Sequence, residues 1–193
     1  WGDDTDSFEE LNEQISRLAY GDRSGKFVSY MAKTAECSIF DWWDANVVYE
    51  EKVLGHPNNR NALFDARIQD EAKRAAAHET IAALKKELKK TAGKLEESCR
   101  PMVPVLELTM DAIDLWNETG ARMCDIELGK EKDEAACAAL AGRLESWFMK
   151  YKASWRSISK EGDLHHIAEI VFWYADIPVS YTHLRAHETG RNL

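Results

Sequence analysis

Apolar residues recur at helical spacing along almost the whole chain, and this pattern limits the fold most. A helix buries residues three or four apart, whereas a half-buried strand alternates every second residue. No stretch after Asp6 alternates convincingly. We therefore predict an all-α bundle of about six helices, with the longer ones running up and down. Phe8, Leu11, Ile15 and Leu18 share one helix face, and an apolar stripe follows at Leu63, Ile68, Ala72, Ala75, Ile81, Leu84, Leu88 and Leu95. The predicted inner faces of two helices are Phe27, Tyr30, Met31 and Ala35, and Leu106, Met110, Ile113 and Trp116. The last two predicted helices carry Ala136, Leu140, Leu144, Trp147, Phe148, Tyr151 and Trp155, and Ile167, Ile170, Val171 and Tyr174.

Several local signals predict where helices begin and end. Ser7 followed by Glu10 has the spacing of a capping box, and Gly21 can supply a left-handed stop. Residues 55–59 read GHPNN and predict a loop, because each of these residue types favours a turn. Residues 62–98 form a long Ala-, Lys- and Glu-rich stretch, which predicts one helical run with a solvated charged face.

The C-terminal segment has no apolar periodicity and no capping signal. Residues 178–189 read PVSYTHLRAHET, and VSYTHLRAHET matches, residue for residue, one reading frame of a transposase adapter used in sequencing libraries. We therefore expect the natural chain to stop near Ile177 and residues 178–193 to be a non-native, disordered tail. The alternative is a natural disordered tail. Under the adapter interpretation, His183 and His187 are not candidates for catalysis or metal binding.

Composition excludes several classes of protein. The remaining length allows one helical domain with a real core, over residues 7–177. A net charge of −9 argues against nucleic-acid binding, which needs Lys and Arg to neutralise phosphates. No apolar run approaches the roughly 20 residues of a membrane span. The four cysteines show neither paired nor zinc-ligand spacing, so we expect buried, reduced thiols and a cytoplasmic setting. They are Cys37, Cys99, Cys124 and Cys137.

The sequence contains few groups of residues that could form a catalytic or metal-binding site. Glu161 and His165 are four apart on one predicted helix face, but the paired Glu-x-x-His motifs of di-iron bundles are absent, so we predict no metal and no cofactor. Trp42 and Trp43 are adjacent, and neighbouring side chains on a helix point about 100° apart. Trp42 and Trp43 therefore cannot both face the same hydrophobic core. Either one indole lines a groove where sugars stack, or the pair combines a core contact with a contact to another domain.

Three stretches together resemble one enzyme family. They are WGDD at residues 1–4, FDWWDANVVYEEKVLG at 40–55, and WRSISKE at 155–161 followed by FWYAD at 172–176. They look like the C-terminal portion of bacterial glycoside hydrolase family 20 β-N-acetylhexosaminidases, in the branch with a helical domain after the catalytic (β/α)₈ barrel. The resemblance implies that residues 1–6 are the end of a barrel strand, and that the natural chain of a metagenomic, bacterial protein begins before Trp1.

The resemblance also implies roles for individual residues. Trp1 would wall the pocket for the sugar ring, and Asp3, with Asp4 as a second candidate, would accept hydrogen bonds from sugar hydroxyls. The parent would remove terminal N-acetylhexosamine by substrate-assisted hydrolysis. The Asp-Glu pair of that chemistry has no counterpart here, so we expect no catalytic residue and an inactive fragment.

Partners follow from the same reasoning. A glycan would reach the fragment only through the missing barrel, and the role of the helical domain would be to cover that barrel, to shape its rim or to form a homodimer. The alternative is a non-catalytic helical interaction module whose acidic face and Trp42/Trp43 dock a protein partner. A third reading is a helical accessory domain from another glycosidase family.

Overall fold

Most of the residues that the computed structural model describes are helical, and the described residues are 7–57, 62–130, 133–159, 162 and 164–189. These residues contain eight α-helices and no strand, so the all-α prediction is confirmed for them. The helices are α1 (Phe8–Tyr20), α2 (Phe27–Glu36), α3 (Trp42–Tyr49), α4 (Ala66–Gln69), α5 (Glu71–Thr91), α6 (Met102–Glu127), α7 (Glu134–Ile158) and α8 (Leu164–Thr189). A π-helical turn (Glu50–Leu54) extends α3, and short 3₁₀ turns lie at Ala62–Phe64, Ala92–Lys94 and Glu97–Cys99.

The helix count exceeds the predicted six because the stretch of residues 62–98 is broken. Asp65 accepts a hydrogen bond from the Arg67 N–H at 2.8 Å and begins the single turn of α4. Asp70 accepts one from the Lys73 N–H at 3.0 Å at the start of α5. Two aspartates that look like part of a solvated face are therefore helix caps, which satisfy N–H groups that have no partner within the helix.

The predicted capping signals are confirmed. Ser7 and Glu10 form the reciprocal capping box of α1, and Gly21 ends that helix with φ of 55°, in the left-handed region. Asp41 and Asp44 form a second box, so that α3 starts at Trp42 and does not continue α2.

Contacts divide the chain into two compact units. The first contains the described residues up to Ser38 together with Ala75–Asp114. Here α1 and α2 pack together, and the turn between them is built around Asp22, whose side chain is buried. Glu96 N–H donates to the Tyr20 carbonyl and Arg23 N–H donates to the Lys94 carbonyl, at 3.2 and 3.1 Å. These bonds fix the turn on the segment that follows α5.

The second unit contains Ile39–Arg74 and the residues from Leu115 onward. In it α7 packs along α8, and α3 packs against α8. Tyr174 on α8 is buried, donates to the Ala45 carbonyl at 3.0 Å, and meets the rings of Phe40, Trp116 and Trp173 edge to face. Burial, and next the negative charge of Asp44, raise the pKa of Tyr174 well above its ordinary value. This aromatic cluster is the core of the unit.

Helix α8 is assigned as far as Thr189, beyond Ile177, where we expect the natural chain to stop. Pro178 lies inside this range, and a proline in a helix interior removes one backbone hydrogen bond. The adapter origin and the disorder of residues 178–193 stay predictions. None of the described helices combines the length and apolar character needed to cross a bilayer.

Candidate functional site

The sugar-binding residues implied by the family resemblance lie outside the described part of the chain. Trp1, Asp3 and Asp4 all belong to residues 1–6, as does the proposed end of a barrel strand. Their role in binding a glycan therefore stays a prediction.

Trp42 and Trp43 diverge as the helix geometry requires. Trp42 packs edge to face on Trp116, with ring centroids 5.6 Å apart, whereas the side chain of Trp43 is 61% exposed. Trp42 is thus half-buried against Trp116, whereas Trp43 exposes most of its indole to a ligand or partner.

The C-terminal histidines make local contacts. His165 lies 3.5 Å from Glu169 on the same helix, and Glu161 lies outside the described residues. His166 Nε2 lies 2.9 Å from the side-chain oxygen of Asn46, and its ring meets Tyr49 edge to face. Both histidines are exposed, and within the described ranges no cluster of three His, Cys, Asp or Glu side chains is arranged to hold a metal ion.

The cysteines follow the prediction with one difference. Cys37, Cys124 and Cys137 are buried, while Cys99 is half-buried, and all four are free thiols. Burial is the main cause that raises the pKa of Cys37 and of Cys124, so these two are protonated, weak nucleophiles.

A polar groove runs between α5 and the first half of α6, inside the first unit. It encloses about 260 Å³ and is lined by Ile81, Ala82 and two oppositely charged pairs. His78 Nδ1 lies 2.7 Å from Asp114, and Lys85 Nζ lies 2.5 Å from Asp111. His78 and Asp114 are 36 positions apart, so no local sequence pattern predicts their contact.

The chemistry of this groove is limited. Its lining includes no hydroxyl or thiol that the His78–Asp114 pair could activate as a nucleophile. Each carboxylate already faces a basic group, and partly exposed pairs of this kind contribute about 0–1 kcal/mol. These two pairs join α5 to α6 within the first unit.

The most unusual surface lies on α1, whose apolar face points away from the protein. Phe8, Leu11, Ile15 and Leu18, which the sequence places on one face, are 85%, 43%, 38% and 86% exposed. We call these four residues the α1 stripe. The side of the helix that does face the protein carries Ser16, which is fully buried, and the half-buried Asn12 and Tyr20.

Hydrogen bonds explain this orientation. Ser16 Oγ accepts from the Val28 N–H at 2.9 Å and donates to the Asn12 carbonyl at 2.7 Å. The Tyr20 ring packs edge to face on Phe27, with centroids 5.0 Å apart. These contacts hold a polar side of α1 against α2 and leave the apolar side in water. Periodicity identified the residues that share the face, and nothing in the local sequence shows which way it points.

Comparisons with protein-family models, with curated proteins and with solved structures found no match to this chain.

Proposed function

We propose that this chain is a non-catalytic helical module that works through protein–protein contact, with the α1 stripe as the contact surface. The observation that carries the proposal is the outward orientation of four large apolar side chains on one helix. Fully burying a side chain of this size contributes about 1.5–3 kcal/mol. The isolated chain forgoes most of that free energy at Phe8 and Leu18 and less than half of it at Leu11 and Ile15, and a partner that covers the stripe recovers it.

The composition of the stripe supports a docking role. Single exposed apolar residues are ordinary on protein surfaces, but a contiguous group is typical of interaction sites. The polar groove between α5 and α6 offers no comparable surface, because its charged groups already pair with each other. The acidic face and the exposed Trp43 remain secondary candidates for a contact.

The experiment compares dye binding by the full chain and by the variant Leu11→Gln/Leu18→Gln at high dilution. Anilinonaphthalenesulfonate fluoresces on exposed apolar surface, so we expect the variant to lose most of the signal. Gln and Leu have similar helix propensities, and the replaced side chains lie outside the core, so the midpoint of thermal unfolding should stay nearly unchanged. Met149→Gln is the matched control, because Met149 is 60% exposed on another helix. Equal dye binding by the wild type and the double variant would contradict the proposal.

A second candidate function comes from the WGDD stretch at residues 1–4. We propose that the parent protein is a bacterial β-N-acetylhexosaminidase, in which Trp1, Asp3 and Asp4 complete the sugar pocket. The module would then contribute structure, and not chemistry, to that enzyme. We expect the full chain to show no turnover of a chromogenic N-acetylglucosaminide, because it lacks the Asp-Glu pair. Turnover above the rate of the buffer blank would show that this chain contains catalytic residues after all.

A further inference from the structure

We infer that the partner of the α1 stripe is a second copy of this chain, with the two α1 helices packed antiparallel. The inference rests on the proposed docking function and adds the identity and orientation of the partner. Three features of α1 carry it: the spacing of the stripe, the charges around it and the way the helix is held.

The spacing of the stripe reads the same in both directions. Its residues are separated by three, four and three positions, the a and d spacing of a coiled-coil seam. When two such helices run antiparallel about the level of residue 13, Phe8 of one copy faces Leu18 of the other. Leu11 then faces Ile15. All eight side chains meet an apolar partner in four layers, which is the self-complementary arrangement that a twofold contact requires.

The charges around the stripe permit a second copy of the chain to bind there. With 100° per residue, Glu10, Glu13 and Arg17 lie on the far side of α1, and the positions that flank the stripe carry the uncharged amides of Asn12 and Gln14. Charged residues beside a coiled-coil seam usually select the partner. Their absence means that two chains of net charge −9 meet here without placing like charges opposite each other.

The helix is held in the orientation that such a contact needs. Arg17 pairs with Glu13 at 2.7 Å and donates to the Arg23 carbonyl at 3.0 Å, so these charged groups are bound within their own chain. Together with the bond from Val28 to Ser16, they fix the rotation of α1 about its axis. The stripe is therefore presented to the partner without reordering of the helix, which lowers the entropic cost of association.

The surface area that the two α1 stripes can bury sets the expected affinity of the dimer. Four side chains from each copy would bury on the order of 1,000 Å² in total, just below the roughly 1,200–2,000 Å² of stable interfaces. We therefore expect a reversible dimer with a dissociation constant in the micromolar range.

Sedimentation velocity of the full chain over a range of concentrations tests this assembly. We expect the wild type and Met149→Gln to shift from monomer to dimer, and Leu11→Gln/Leu18→Gln to raise the dissociation constant at least about tenfold, the equivalent of 1.4 kcal/mol. A wild type that stays monomeric at high concentration overturns the second-copy inference, and so does a dimer that the double variant leaves intact. The two proposals fail separately, because a monomer whose dye binding depends on the stripe keeps the docking surface and loses only this partner.

Cross-linking tests the antiparallel orientation. Both cysteine variants are made in a Cys99→Ser background. In the antiparallel dimer, the two thiols of Gln14→Cys, one from each copy, lie near the twofold axis. The two thiols of Leu18→Cys lie about 15 Å apart along the helices, because each residue adds a rise of 1.5 Å. A short bis-maleimide should link dimers of Gln14→Cys and not those of Leu18→Cys. Efficient linking at Leu18→Cys indicates parallel helices and overturns the proposed arrangement. The buried Cys37, Cys124 and Cys137 are present in both variants, so any cross-linking through these three thiols is the same in both.

Discussion

Asp22→Ala will lower the free energy of unfolding by about 3 kcal/mol, because it leaves one buried and two part-buried N–H groups without an acceptor. One carboxylate oxygen of Asp22 accepts from the Ser24 N–H at 2.8 Å and the Ser24 hydroxyl at 2.7 Å. The other accepts from the N–H groups of Lys26 and Phe27 at 2.8 and 2.9 Å. A single side chain thus satisfies three backbone donors at the start of α2, and denaturant unfolding at neutral pH measures the loss.

Asp133→Ala is the matched control for this substitution. Asp133 also caps a helix, accepting from the Ala136 N–H at 2.9 Å, but it is exposed. Water replaces the acceptor there, so the expected cost is about 1 kcal/mol. Equal losses for the two variants would show that burial of the Asp22 turn adds nothing to its stability.

The same aspartate makes stability depend on pH. Burial alone would raise the pKa of Asp22, but the hydrogen bonds from Ser24, Lys26 and Phe27 outweigh it, and the pKa lies below the ordinary 3.8. The bonded carboxylate therefore contributes its full stability above the unfolded-state pKa, and this contribution is lost as the pH falls through the lower folded-state pKa. Between neutral pH and about pH 4 the wild type should keep its full advantage over Asp22→Ala. At lower pH the two unfolding free energies should converge.

Gly120→Ala will destabilise the second unit by about 1–3 kcal/mol, although replacing a helical glycine by alanine normally stabilises a protein. A Cβ at Gly120 would lie 2.5 Å from Cγ and 2.7 Å from Cβ of Phe40. Phe40 is fully buried and packs against Tyr174, so it has little room to move away. The clash should outweigh the gain of about 0.5–1 kcal/mol from the lower flexibility of the unfolded chain.

Gly142→Ala isolates the helix-propensity effect. Gly142 lies inside α7, and a Cβ there meets no other atom within 4 Å. We expect this variant to be more stable by about 0.5–1 kcal/mol. Phe40→Leu should also cost less in the Gly120→Ala background than in the wild type, since the smaller side chain relieves the clash. Thermal unfolding of the four variants measures both effects, and stabilisation by Gly120→Ala equal to that by Gly142→Ala would contradict the clash.

Helix α1 shows how much of the fold the sequence predicts. Its start at Ser7 and its end at Gly21 follow from capping chemistry that acts within a few residues, and both are confirmed. The direction of its apolar face depends instead on where Val28 can bond to Ser16, a contact across twelve positions that has no local signature. The sequence therefore identifies the residues of the candidate docking surface as one group, but it does not show that this group faces outward.

Contacts between residues that lie far apart in the sequence are harder still to predict. The bond from Tyr174 to the Ala45 carbonyl joins residues 129 positions apart, and no periodicity or spacing predicts it. The break at Asp70 was missed for another reason: an aspartate in a charged stretch fits a solvated helix face as well as it fits a cap. The glycan-binding residues Trp1, Asp3 and Asp4 lie outside the described residues and remain predictions from sequence alone.

The position of the tryptophans determines what a spectroscopic unfolding curve of this protein reports. Every tryptophan in the described ranges belongs to the second unit: Trp42, Trp43, Trp116, Trp147, Trp155 and Trp173. After Trp1→Phe, indole emission follows only that unit, whereas circular dichroism at 222 nm averages over helices in both. The two signals therefore measure cooperativity directly. If the emission and ellipticity transitions coincide, both units unfold together. If part of the ellipticity is lost before the emission changes, the unit that contains α1 is the less stable of the two.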